Sequence, residues 1–181
     1  MIEGEMLALP PEAVGAAKAY LRIEREDEDG LIAGLTLAAA ELCEAFLGEA
    51  LLVRGFSETI AADQAWRSLT RRPVRSIALV EALAAEGPAQ ALASAAYGID
   101  IDSRGGGWVR LTGPGEAKRV RIGYQAGLAE DWALLPAALR QGILRLAAHF
   151  YTNRAPEGGR ESEPPAAVAA LWRPFRRLRL R

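Results

Sequence analysis

From Pro10 to Gly48 the apolar residues return every three or four positions, the spacing of one face of an α-helix. Pro10 and Pro11 precede EAVGAAKAYLRI, in which Val14, Ala17 and Tyr20 with Leu21 share a face. Proline suits the first helical position, where its missing N–H has no partner to lose, so a short helix is predicted over about 11–22. A longer helix follows over about 27–47, with Leu31, Leu35, Ala38, Leu42 and Phe46 on one stripe. Asp27 is its expected N-cap, Glu28 and Asp29 place negative charge at the positive end of the helix dipole, and Gly48 is its expected stop.

After Gly48 the period shortens to two. LLVRGFSETI, AWRSLTR, VRSIALVEAL, YGIDID, WVRLT and RVRIGYQ are short runs of β-branched, leucine and aromatic residues, several alternating with polar ones as half-buried strands do. RRP, EGP, RGGG and GPGE separate them as turn signals. YGIDIDSRGGGWVRL reads as a hairpin bending at Gly105–Gly107, inside a small antiparallel sheet across about 51–125. Helical spacing resumes at Pro136, with Leu135, Leu139, Ile143, Leu146 and Phe150 as a stripe and Ala147 beside it, over about 136–152. APEGGRESEPP breaks the pattern, PPAAVAALWR predicts a short last helix that Pro174 ends, and FRRLRLR is a basic tail. The order predicts an α+β fold that is mainly α: a bundle of about four helices with a small antiparallel β section inserted.

Composition narrows the classes. A chain of 181 residues suits one domain, or one domain with an embellishment, and 50% hydrophobic with 25% charged residues is ordinary for a globular protein. The longest uncharged stretch, Gly87–Ile99, contains Pro88 and falls short of the ~20 apolar residues of a membrane span, so no membrane is expected. MIEGEMLALPPE lacks the basic start of a signal peptide. The single cysteine, Cys43, excludes an internal disulfide and a multi-cysteine metal site. Charge is polarised: residues 1–49 carry a balance of −8 and residues 50–181 one of +7, within a net charge of −1. Such a split points to a charged partner or to contact with further copies of the chain.

Candidate chemistry is sparse. The only histidine, His149, sits about 80° from the centre of its helix's apolar stripe, at the border of the buried face. A catalytic histidine needs a nucleophile or an orienting carboxylate, and the helix over 136–152 offers neither acid nor serine. Its expected role is to hydrogen-bond a backbone carbonyl at a helix or subunit boundary. Cys43 reads as a small core residue. EREDEDG fails as a calcium loop because Arg25 falls at the first ligand position. GPGEAKR lacks the ending of a phosphate-binding loop, RGGGW precedes no helix, and Asp100 with Asp102 lacks a third ligand. No catalytic, cofactor-binding or metal residue is expected, nor any cofactor or enzymatic activity. The tail is more informative. Trp172, Phe175, Leu178 and Leu180 interleave with Arg173, Arg176, Arg177, Arg179 and Arg181, as in a docking peptide whose aromatics anchor and whose arginines pair with carboxylates or phosphates. A small nucleic-acid-binding protein using this tail is the alternative.

The segments EAVGAAKAYLRIEREDEDGLIAGLTLAAAELCEAFLGEALL, RRPVRSIALVEAL, YGIDIDSRGGGWVRL and RVRIGYQAGLAEDWALLPAALRQGILRLAAHFYTNR, taken in order, resemble the head–tail connector (adaptor) family of long-tailed phages and of phage-derived gene transfer agents. The likeness covers about 150 residues and thins after Gly158. It implies a structural protein of the particle neck, made in the bacterial cytoplasm, whose subunits form a ring, commonly of twelve, beneath the portal protein. That ring extends the DNA channel, without sequence-specific binding, toward the next neck component. By resemblance residues 1–158 form the connector domain, and residues 159–181 a short helix and docking tail. Family members bind the portal partly through C-terminal segments, which implies portal docking by Trp172, Arg173, Phe175, Arg176, Arg177, Arg179 and Arg181.

Overall fold

The structure is a computed structural model and describes residues 1–84, 88–113, 117–153 and 164–176. In chain order its elements are β1 (Ile2–Gly4), α1 (Pro11–Leu21), α2 (Asp29–Leu47), β2 (Arg54–Ala61), β3 (Arg67–Ser68), β4 (Val74–Leu83), β5 (Gln90–Ala91), β6 (Tyr97–Ile101), β7 (Gly107–Leu111), β8 (Arg119–Ala126), α3 (Ala137–Thr152) and α4 (Ala166–Trp172). They fall into two compact units. Residues 1–6 with 52–128 form a β unit, and residues 7–51 with 129–181 form a helical unit.

The β unit follows from alternation. In β8, Val120, Ile122, Tyr124 and Ala126 are buried while Arg119, Arg121 and Gln125 face out. β8 is the centre of a five-stranded sheet ordered β1-β2-β8-β4-β5, and β3-β7-β6 form a second sheet. All pairings are antiparallel, with Phe56 opposite Tyr124 and Val80 opposite Ile122. Leu69, Val109 and Leu111 of the second sheet's side are buried, as are Phe56, Val74, Val80, Val120 and Ile122 of the first. Strands with one apolar face need a second layer to bury it against, and the two sheets supply that layer for each other. At one end the sheets are tied by backbone: Val74 N–H, at the start of β4, donates to the carbonyl of Gly105, in the turn between β6 and β7, at 2.8 Å.

The expectation of a mainly helical bundle with a small β insert is therefore corrected. Among the described residues four α-helices stand beside eight strands, and the β section is a two-sheet unit with its own core, so the fold is mixed α/β. Reading strands one by one understated them, because a half-buried strand shows its partner only when its register is known. β1 went unread, since three residues carry no period; it pairs with β2, Glu3 opposite Ser57. AWRSLTR contributes only the two residues of β3. The boundary expected between residues 158 and 159 lies outside the described residues.

In the helical unit α2 buries Ile32, Thr36, Ala39, Ala40, Cys43 and Leu47. The expected stripe is displaced by one residue, since Leu31 is exposed and Leu35, Ala38, Leu42 and Phe46 are half-buried. One residue is about 100° of helix, and the small side chains at Ala39 and Ala40 let neighbouring helices close in on that side. α3 keeps its expected face, burying Leu139, Ile143, Leu146 and Ala147. Asp27 is not the N-cap of α2: the capping position is Glu28, without a side-chain cap bond. Gly48 ends α2 as expected, in the left-handed conformation, and the Glu44 carboxylate accepts the Leu51 N–H at 2.7 Å just beyond. α4 stops at Trp172, and Arg173–Phe175 continues as one 3-10 turn containing Pro174.

Candidate docking surface

The expected docking residues divide at Trp172. Its side chain is fully buried in the helical unit, against Phe46 at a ring separation of 5.8 Å, and its indole N–H points at the Leu139 carbonyl at 3.4 Å. Gly142 makes the room, for a Cβ there would sit 2.1 Å from the indole nitrogen. Trp172 thus fastens the start of the tail to the chain's own core. Arg173 and Arg176 are exposed and Phe175 is half-buried. The Arg176 guanidinium lies 5.1 Å from the centre of the Phe46 ring, a cation–π contact. Arg177, Arg179 and Arg181 lie outside the described residues. The described part of the tail therefore presents two exposed arginines on a rigid base.

The other residues singled out sit in local hydrogen bonds, an ion pair or the core, and the His149 ring meets a side chain where a backbone carbonyl was expected. His149 is exposed on α3, its Nδ1 2.9 Å from the Asn153 side-chain nitrogen. Cys43 is fully enclosed, and burial, with Glu44 beside it, pushes its thiol well above the ordinary range, which suits a core residue and not a nucleophile. In the acidic run, Glu28 accepts the Tyr151 hydroxyl at 2.6 Å and Asp29 pairs with Lys18 at 2.5 Å. Asp102 clamps the β6–β7 turn, accepting the N–H groups of Arg104 at 2.8 Å and Gly106 at 2.9 Å. Those bonds, Gly106 first, hold its carboxyl below the usual range. No group of three metal-ligating side chains occurs among the described residues.

One buried polar cluster went unread. Glu58 faces inward from β2 and accepts the Thr70 hydroxyl at 2.6 Å, the Thr70 N–H at 2.9 Å and the Tyr124 hydroxyl at 3.1 Å. The same Tyr124 oxygen accepts the Arg71 N–H at 3.2 Å. Burial raises the Tyr124 phenol beyond its ordinary value. The cluster fixes the loop before β4, which carries Arg71 and Arg72. The signal was present in Phe56-x-Glu58-x-Ile60, where a carboxylate occupies an inward position of a strand.

No protein-family model and no curated protein matches the chain. Solved structures do. The neck of an empty gene transfer agent particle, with six-fold symmetry, matches at a TM-score of 0.78 and 24% identity, covering 99% of this chain and 97% of that one. A chain from the virion of a native gene transfer agent particle matches at 0.76 and 25% identity, with the same coverage. The neck of a native particle, with twelve-fold symmetry, matches at 0.73 and 25% identity, again over 99% of this chain and 97% of that one. The resemblance to head–tail connectors read from the sequence thus holds in three dimensions: the fold is that of chains in the neck of gene transfer agent particles. These neighbours give the nucleic-acid-binding alternative no support.

Proposed function

We propose that this protein is a structural head–tail adaptor in the neck of a gene transfer agent or phage particle, acting by assembly and not by catalysis. The observation that carries this is the end-to-end likeness to gene transfer agent neck and virion chains, two of them at 25% identity over 99% of this chain. In this reading copies of the chain form a ring, a dodecamer in the finished particle, which sits on the portal protein, extends the DNA channel and receives the next neck component. The portal contact is the tail beyond Trp172. Arg173 and Arg176 are exposed there, and guanidinium groups pair bidentately with carboxylates. Trp172 serves as the internal anchor and not as a portal contact.

Deleting Arg173–Arg181 should abolish binding to a purified portal ring while circular dichroism and thermal melting stay close to those of the full chain. Normal portal binding by the truncated chain would overturn the docking mechanism. Electron microscopy of purified particles tests the location, with a ring of this chain expected in the neck.

A further inference from the structure

Helix α2 carries more apolar surface than its own unit covers. It is the one described helix long and apolar enough to cross a membrane by length and composition, yet only 39% of its apolar window is buried within the chain. Beside the buried face lie Leu31, which is 42% exposed, and half-buried Leu35, Ala38 and Leu42. Gly30, Gly34 and Ala45 are open to solvent, and from Gly30 to Leu47 the only exposed charge is Glu41. This strip runs roughly 20 Å. A Cβ built on Gly34 meets nothing within 4 Å, in contrast to Gly142, where Trp172 fills the space. Glycine inside a helix is destabilising relative to alanine, and the chain's own packing does not require it at Gly34. What a glycine there permits is close approach by something outside the chain.

We infer that this outer face of α2, from Leu31 to Ala45, is a subunit seam, occupied by a neighbouring copy of the same chain. The inference rests on the adaptor reading for the presence of neighbours. Structures with this fold come from necks computed with six-fold and twelve-fold symmetry, and in a closed ring each copy touches its neighbours through two different faces. Charge argues against other occupants. The strip has no basic residue, and the exposed run just before the helix, Glu24, Arg25, Glu26 and Asp27, is net acidic, so anionic lipid and DNA are both disfavoured. A second copy needs no charge match there, because Glu41 is the only exposed charge from Gly30 to Leu47.

A photo-reactive p-benzoylphenylalanine placed at Leu31, a large exposed side chain at the end of the strip, in the full chain and irradiated in producing cells, reads the occupant by mass spectrometry. The expected product joins two copies of this chain. Cross-links to the portal protein, to lipid or only within one chain, or none at all, would overturn the seam. Leu31→Glu combined with Gly34→Glu changes two exposed positions and should leave the melting curve of the free chain unchanged while cutting the assembled fraction roughly tenfold or more. Assembly at the level of an Arg145→Glu control would also overturn it. The two readings separate cleanly. Copies that cross-link through Leu31 but are missing from purified particles sink the neck role and leave the seam standing. A chain found in the neck whose position 31 captures another molecule sinks the seam alone.

Discussion

Trp172 and Gly142 are a matched pair of residues, one supplying an indole and the other the absence of a side chain. Trp172→Ala should destabilise the chain by about 3–5 kcal/mol in chemical denaturation, as a buried large-to-small change does. Arg173→Ala, one residue on and exposed, should stay within about 0.5 kcal/mol. Glu58→Ala should cost roughly 1–3 kcal/mol by the same measurement, because it takes the acceptor from the buried Tyr124 hydroxyl. Alkaline pH tests two further residues. The Tyr124 phenol and the Cys43 thiol are both raised by burial, so above their ordinary values of 10.0 and 9.0 the unfolded chain loses protons that the folded chain keeps. Folding stability is therefore intact below about pH 9 and falls as the pH rises beyond it, a slope that Tyr124→Phe should reduce in denaturation series at several pH values. At this scale the sequence misled where one pattern has two meanings. Aromatics among arginines suit an exposed docking peptide and a helix end plugged into a core equally well, and only Gly142, far away in the chain, decides between them.

At the scale of elements the β6–β7 hairpin was legible and the face of α2 was not. Asp-Ser-Arg-Gly-Gly is turn chemistry that announces itself, and the structure places the bend there, with Gly107 already the first residue of β7. Gly105 has φ +74°, and a Cβ on it would meet Pro73 at 2.3 Å, so Gly105→Ala should cost at least about 1 kcal/mol. Amide hydrogen exchange should show the loss as faster exchange in β6 and β7. α2 defeated the same kind of reading because its residues are apolar nearly all the way round. A helix with leucines on one side and alanines on the next offers two stripes, and the sequence favours the larger side chains. The protein buries the side where Thr36, Ala39, Ala40 and Cys43 lie between Ile32 and Leu47, and leaves Leu31, Leu35 and Leu42 at the margin.

For the whole molecule, sequence order revealed the helix–strand–helix succession but not its weight. The two-sheet unit is built from residues 1–6 and 52–128, so its first strand is separated from the rest by α1 and α2. No local period can reveal a partnership between Ile2–Gly4 and β2. The neck role was legible because it rests on the order of elements over most of the chain, which survives errors in each one. The fastening of Trp172 also turns the tail into a ruler. Arg176 is held over Phe46, and Arg181 follows five residues later. Covalent geometry allows at most about 3.5 Å per residue, so the Arg181 backbone can never stray more than about 18 Å from that of Arg176. In the docking proposed above, the acidic surface must lie within that radius plus the reach of an arginine side chain on every copy, a restraint with which any docked arrangement of the neck can be accepted or discarded.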